Sequence, residues 1–373
     1  MTRDVVLLTG ATGLLGRYLL RDLQARGLRV AALVRGGHGR SAADRLAELA
    51  GDWADPAGPP PHLVEGDLTA PGLGLTVDGR RWLARHCREV VHSGASLQFV
   101  DPDRTGEPWR TNVGGTAELL TVCREAEVER FHHVSTAYVC GDRNELVLED
   151  DPLPAGGFRN DYEAAKAEAE RLVRAAKLPH PPTVLRPAII VGDSRTGYTS
   201  TYHGLYLYMQ FLVMLARGTP KGPDGRWPLP IRLDITGDEH RNLVPVDWVS
   251  AVAADVIADP ELHGRTYHLA PDRPATAREL GAALAEAFGY TGLVFAGPDP
   301  AGPRTDLEAL FYRFVSTYAP YWRAEPRFDT ANTRAAVPGR PCPPVDAALI
   351  GRLVAFAAAD NWGRRRTAAP LAA

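Results

Sequence analysis

Through its first half the chain alternates short apolar runs with stretches whose apolar residues recur at helical spacing. The run DVVLLTG (4–10) predicts a strand, and LLGRYLLRDLQARG (14–27) an amphipathic helix that ends on Gly27. RVAALVR (29–35) predicts a second strand, AADRLAELAGDW (42–53) a helix, and HLVEGDL (62–68) a third strand. RRWLARHC (80–87) precedes EVVHSGA (89–95), a fourth strand. A long helix over 111–128 leads into a strand over 130–139. The helix NDYEAAKAEAERLV (160–173) leads into PTVLRPAIIVG (182–192), a sixth strand. Strands alternating with helices predict an α/β fold: a Rossmann-type, doubly wound parallel sheet covered on both faces.

After Gly192 the pattern changes. Residues 194–232 are rich in Gly, Pro and aromatics. A short strand or loop followed by a helix is expected over 242–259, a strand over 265–270, and helices over 276–289, 305–319 and 345–362. This predicts a main sheet domain of 1–194 together with about 235–272, which return to the sheet. A smaller, mainly helical substrate domain is expected from about 195–234 and 273–373, with 364–373 a solvated end. No internal repeat is evident.

Composition adds mainly exclusions. The 373 residues suit one large domain or two closely joined ones, and 45% apolar with 23% charged residues is ordinary for a globular chain. A formal net charge of -3 argues against a nucleic-acid surface. No apolar run approaches membrane-spanning length. The chain starts almost directly on a strand-like run, without a leader pattern. Cys87, Cys123, Cys140 and Cys342 are widely spaced and form no CxxC. Reduced thiols in a cytoplasmic protein are expected.

TGATGLLG sets Gly10, Gly13 and Gly16 between the first strand and the first helix, the context a dinucleotide site requires. Glycines permit a tight turn and close approach to a pyrophosphate seated on the helix N-terminus. The second strand ends in Arg35, where a preference for the unphosphorylated cofactor would call for Asp or Glu. A guanidinium can hold a 2′-phosphate that a carboxylate would repel, so NADPH is the expected cofactor. Arg40 or Arg45 would either add a second contact or be solvated charges.

Tyr162 and Lys166 in YEAAK stand at i, i+4 and so share one helix face. Taken alone the pair is a common pattern. Glu163, Glu168, Glu170 and Arg171 on the same helix are expected to be solvated.

The G-x-x-G-x-x-G spacing and the opening LLTGATGLLG resemble the extended short-chain dehydrogenase/reductases. The resemblance implies that Thr9, Gly10, Thr12, Gly13, Leu14, Leu15 and Gly16 form the cofactor loop. Asp67 and Leu68 would lie at the adenine, and Ser93, Gly94 and Ala95 would pass close to the cofactor, although this chain has HSGAS where the family often has an Asn-Ala-Ala-like stretch. It implies a catalytic set of Thr136, Tyr162 and Lys166, with Asn112 as a fourth polar residue, structural or part of a proton path, and Pro187 on the strand that follows.

The chemistry suits these residue types. A free tyrosine has a pKa of roughly 10 and is a poor acid–base catalyst at neutral pH. A nearby ammonium, with the positive nicotinamide of the oxidised cofactor, is expected to lower it. Lys166 would also bind the ribose, while Thr136 and Tyr162 hydrogen-bond the substrate oxygen as charge grows on it.

Further motifs run in order through most of the chain: VVHSGAS, TNVGGT, HVSTAYV, YEAAKAEAE, RPAIIVG and NLVPVDWV. Together they resemble the thioester-reductase and fatty acyl-CoA reductase branch. That branch implies NADPH-dependent reduction of an acyl thioester to an aldehyde, in some members on to an alcohol. With no adenylation or carrier module in the chain, the donor is expected in trans, as acyl-CoA or a docked acyl carrier protein, and the protein as a monomer or dimer.

Tyr202, His203, Tyr206 and Phe211 would line an acyl tunnel or face a helix core, and 310–322 poses the same choice. His132 and His133 face opposite sides of a strand, as partly buried histidines and not a metal pair. The alternatives are an alcohol or ketone dehydrogenase, a sugar-nucleotide epimerase, and an NADPH-binding sensor without turnover. Ala137 and Tyr138 after Thr136 weigh against a sugar dehydratase, and Arg35 against the NAD-retaining epimerases.

Overall fold

The computed structural model describes residues 3–37, 39–51, 59–101, 103–322 and 325–364. Seven strands form the central sheet: β1 (Val5–Thr9), β2 (Arg29–Val34), β3 (His62–Glu65), β4 (Cys87–His92), β5 (Arg130–Val134), β6 (Thr183–Pro187) and β7 (Thr266–Leu269). They lie in the order β3-β2-β1-β4-β5-β6-β7, and every pairing is parallel. The order reverses between β1 and β4. Open sheets of this kind bind ligands at that switch point, beyond the carboxyl ends of the strands.

The sheet is buried on both faces, which is why its strands read as continuous apolar runs. β1 shows the division. Val6 and Leu8 pack into one hydrophobic cluster, and Val5 and Leu7 into another on the opposite face. The first cluster is closed by α1 (Leu14–Ala25) and α7 (Val246–Ala258), the second by α3 (Val77–His86) and α4 (Gly115–Glu125). α2 (Ala42–Gly51) lies beside β2 and β3, and α5 (Asp161–Ala175) beside α4. A third cluster joins α6 (Leu205–Gly218), α8 (Ala277–Phe288), α9 (Asp306–Phe314) and α11 (Ala347–Ala359); α10 (Ala331–Ala336) packs on β7. Among the described residues no helix is long and apolar enough to cross a membrane.

Several expected elements are shorter or divided. The strand over 130–139 stops at Val134, and Ala137–Cys140 is a 3-10 turn with Thr136 at its cap. The run over 182–192 is two strands: after Pro187, Ile189–Val191 leaves the sheet and pairs in parallel with Leu243–Pro245. Proline has no N–H to continue the ladder. The helix over 111–128 opens with a π turn, Arg110–Gly114, and ends at Glu125. That over 305–319 ends at Phe314, followed by a 3-10 stretch, Ser316–Tyr321, containing Pro320. Residues 52–53 of the second predicted helix and 365–373 of the expected solvated end lie outside the described residues.

Candidate functional site

The glycine loop leaves β1 with Gly10 at φ +74°, a conformation that disfavours a side chain; a Cβ there would also fall 2.7 Å from Gly94 Cα. A Cβ on Gly16 would fall 2.0 Å from the Gly10 carbonyl oxygen. Two glycines are thus imposed by backbone meeting backbone. α1 follows with Gly13 as its cap, no side-chain cap and no acidic residue in its first turn. Its free N–H groups, at Leu14 and Leu15 among others, suit an anion.

Beneath the loop runs a buried polar chain. Thr116 donates its hydroxyl hydrogen to the Asn112 carbonyl at 2.6 Å, so its oxygen accepts from His92 Nε2 at 3.0 Å. His92 Nδ1 then accepts from the Thr9 hydroxyl at 2.8 Å, and Thr9 accepts from the Gly94 N–H at 3.1 Å. Burial, with the Lys166 ammonium nearby, pulls His92 down to about 3 and keeps it neutral. The Asn112 amide is engaged at both ends by Ser96, accepting from its N–H at 2.7 Å and donating to its carbonyl at 3.0 Å. The chain joins β1, β4 and the π turn and fixes the strand end at Ser93–Ser96. His92 was not singled out in the sequence, and its only signal there was a polar residue closing an apolar strand.

Beside the loop lies a basic cluster. Arg45 donates to the Arg35 carbonyl at 2.6 Å and to the Thr12 hydroxyl at 3.1 Å. Arg35 is half exposed and 3.4 Å from Asp67, whose other oxygen accepts from the Thr69 N–H and hydroxyl, each at 2.9 Å. Leu68 packs against the backbone of Gly94 and Gly115. Arg40 is paired with Glu48.

At the carboxyl end of β5, Thr136 stands 3.4 Å from the Pro187 carbonyl and shares a hydrogen bond with Tyr162. Asn160 caps α5 by accepting from the Glu163 N–H at 2.9 Å, so Tyr162 falls in the first turn and Lys166 one turn on. Lys166, 3% exposed, donates to the Val134 carbonyl at 2.6 Å. Burial pulls its pKa down to about 8, against the pull of Glu170. Burial pushes Tyr162 up to about 12, with the Thr136 hydrogen bond opposing. The expected lowering of Tyr162 is thus outweighed by desolvation within the protein itself.

These groups meet in one cavity of about 500 Å³. Its wall includes Gly10, Gly13, Leu14, Leu15, Gly16, Ser93 and Ala95, and then Thr136, Tyr162, Lys166 and Pro187. Thr9, Thr12, Gly94, Asn112, Arg35, Asp67 and Leu68 stand outside that wall. The cavity extends into the third cluster between leucines, isoleucines and aromatic rings such as Leu229, Ile231, Leu280 and Phe311. Of the tunnel candidates, His203 and Tyr206 line it, as do Phe311, Tyr318, Tyr321 and Trp322. Tyr202 turns away to Asp360 at 2.5 Å, and Phe211 packs in the core.

α5 differs from expectation in a telling way. Glu163 and Glu170 are wholly buried, while Glu168 and Arg171 form a half-exposed ion pair at 3.0 Å. Glu163 lies three residues before Lys166 and Glu170 four after, so all three share the stripe that faces the sheet. Tyr321 and Arg186 from distant segments, with the nearby Arg159 N–H, make this tolerable. Tyr321 donates to Glu163 at 2.6 Å and the Arg159 N–H at 2.9 Å; Arg186 grips Glu170 through two nitrogens at 2.7 and 3.2 Å.

His132 and His133 are fully buried, more than the sequence suggested. His132 faces Glu89 at 3.4 Å and the ring of His263, away from the cavity. Ligand atoms of these three lie within 4.8 Å of one another, but Arg130 already neutralises Glu89 at 2.9 Å. Burial would raise Glu89, yet His132 and Arg130 together hold it at about 2.

The NAD-binding family described as male sterility protein matches residues 8–253. The L-2-aminoadipate reductase large subunit of Penicillium chrysogenum is 29% identical over 90% of this chain, which spans only 25% of that protein. The crystal structure of the terminal R domain from the myxalamid PKS-NRPS biosynthetic pathway superposes with a TM-score of 0.79 at 28% identity, covering 98% of this chain and 93% of that one. UDP-glucose 4-epimerase from Bifidobacterium longum superposes at 0.66 with 18% identity, covering 96% and 99%. The fold is therefore shared with sugar-nucleotide enzymes and does not by itself separate reduction from epimerisation. With its family model running from β1 into α7, the chain belongs to the male sterility protein family, the thioester-reductase branch of the extended short-chain dehydrogenase/reductases.

Proposed function

We propose that the protein reduces an acyl thioester to an aldehyde with NADPH, the same site being competent to reduce the aldehyde on to an alcohol. One observation carries this reading: Thr136, Tyr162 and Lys166 open onto a cavity whose far wall is mostly apolar, with His203, Arg241 and Glu325 among its few polar residues. Such a wall suits an acyl chain and offers a sugar or nucleotide few partners. The division of labour follows the chain. Residues 1–194 with about 235–272 hold the cofactor, and about 195–234 and 273–373 hold the acyl group.

The loop fits a dinucleotide. Its close-packed Gly10 and Gly16 leave the uncapped start of α1 open to a pyrophosphate. Arg35 and Arg45, linked by the Arg45 hydrogen bond to the Arg35 carbonyl, favour the 2′-phosphate of NADPH, while Asp67 and Leu68 flank the adenine. Bound NADPH supplies the hydride. Thr136 and Tyr162 hydrogen-bond the substrate carbonyl oxygen, and Tyr162, a phenol at neutral pH, gives it a proton. Collapse of the resulting thiohemiacetal releases the thiol and the aldehyde. Lys166 binds the ribose and contributes positive charge, and Asn112 positions the segment from Ser93 to Ser96. The donor arrives on CoA or a carrier protein, in the cytoplasm, where the four free thiols remain reduced.

The test is incubation with NADPH and a panel of acyl-CoAs, aldehydes, ketones and sugar nucleotides, following loss of NADPH absorbance and products by mass spectrometry. Aldehyde from thioester is expected. Turnover of ketones or sugar nucleotides with none of thioesters would overturn the reading.

A further inference from the structure

One side of the apolar arm of the cavity is α8, which presents Ala277, Leu280, Gly281 and Leu284 to it. These stand at i, i+3, i+4 and i+7 and so form one helical stripe. Beside α8 runs the segment 292–296, in which Leu293 and Phe295 line the cavity while Gly292, Val294 and Ala296 are exposed. The alternation is that of a strand with one face inward and one in solvent. Val294–Phe295 is paired in parallel with a single neighbour, Arg232–Leu233. At this end the wall is therefore one layer of side chains thick.

Phe295 is seated between two glycines. A Cβ on Gly281 would fall 3.0 Å from its Cζ, and a Cβ on Gly237, at φ +96°, would fall 3.1 Å from its Cγ. A glycine inside a helix is unfavourable relative to alanine. α8 is otherwise well specified, with a capping box between Thr276 and Glu279, so Gly281 stands out as room left for the ring. The Arg278 guanidinium covers the ring at 4.9 Å from its centroid and is itself 56% exposed. The ring thus has the cavity on one side and an exposed cation on another, and it separates the cavity from solvent.

We propose that Phe295 is a specificity-determining residue: it is the stop against which the tip of the acyl chain ends, and it sets the longest chain the protein accepts. This rests on the thioester-reductase reading. Each methylene that enters the arm exchanges water for leucine and isoleucine side chains and strengthens binding. A chain that reaches the ring cannot advance, because Gly237, Gly281 and Arg278 hold the ring from the sides it would move toward. One further methylene then strains a packed wall and is unfavourable.

The experiment uses saturated straight-chain acyl-CoAs of increasing length. In the wild-type protein kcat/KM should rise by up to about fourfold per methylene while the chain fills the arm. It should then fall by at least about tenfold at the first chain that overruns Phe295. Phe295→Leu and Phe295→Ala should carry this fall to longer chains, alanine further than leucine. The readout is the chain length at which the fall occurs, which a variant that is merely less stable would not move. NADPH titration verifies that each variant retains the cofactor site. A fall at the same length in both variants, or none in the wild type, would overturn the proposal while leaving thioester reduction intact. No turnover of any thioester would instead remove the reading on which it rests.

Discussion

The Lys166 ammonium donates a 2.6 Å hydrogen bond to the carbonyl of Val134, the last residue of β5. It is held at the carboxyl edge of the sheet, among buried side chains, and burial brings its pKa down to about 8. The group is therefore charged below that pH and neutral above it. If the charge is what binds ribose and supports the phenol, kcat/KM should fall as pH rises through about 8. Lys166→Arg stays charged throughout, so its residual activity should lose this alkaline limb. A wild-type profile that stays level well into the alkaline range would remove Lys166 from this role.

In the proposed reaction Tyr162, pushed up to about 12 and so a phenol at neutral pH, acts as the proton donor. Tyr162→Phe keeps the ring against Phe99 and loses only the donor. Its kcat should drop by roughly a hundred- to ten-thousand-fold, with NADPH affinity changed little. Single-turnover rates with saturating NADPH measure this directly. Near-normal turnover would assign the proton to another group.

What could be read from the sequence was what depends on neighbours in the chain. The apolar runs of β1, β4 and β6 marked the sheet, and the glycines between β1 and α1 marked the loop. Tyr162 and Lys166 could be paired because helical spacing fixes their common face. Glu163 and Glu170 could not be read, although they share that face. A carboxylate is buried only if a distant cation or hydroxyl meets it, and Arg186 and Tyr321 come from β6 and from a turn far along the chain. His92 was hidden for the same reason, its partners Thr9 and Thr116 being long-range. The ends of strands were misjudged where backbone chemistry intervened, as at Pro187.

If the basic cluster holds a 2′-phosphate, it should separate the two nicotinamide cofactors. Arg45 spans the glycine loop and the end of β2, and Arg35 leans toward Asp67. Replacing both arginines by alanine should weaken NADPH binding by about ten- to a hundredfold, or about 1.4–2.8 kcal/mol, with little change for NADH. Fluorescence titration with each cofactor gives the ratio, and raising salt should narrow it. Equal losses for both cofactors would show that the arginines support the loop and not the phosphate.

Two glutamates on α5 make the last contrast. Glu170 is wholly buried and gripped by Arg186, itself 3% exposed, whereas the Glu168–Arg171 pair is half in solvent. Burial alone would raise the Glu170 pKa, but Arg186 and Arg174 outweigh it and hold the carboxylate charged. Glu170→Gln leaves a buried guanidinium without its counter-charge, which typically destabilises by about 3–5 kcal/mol. Glu168→Gln should change stability by less than about 1 kcal/mol. Urea denaturation of the two variants reads the difference as a shift in midpoint. Because the folded pKa of Glu170 is depressed, its contribution is present above the unfolded carboxylate pKa and is lost as pH falls through the folded value. The gap between the variants should therefore narrow in acid. Replacing Glu170 and Arg186 together by apolar residues of similar volume should cost less than Glu170→Gln, since no charge is then stranded. Equal midpoints for Glu170→Gln and Glu168→Gln at neutral pH would mean that the buried pair is not what holds α5 against β6.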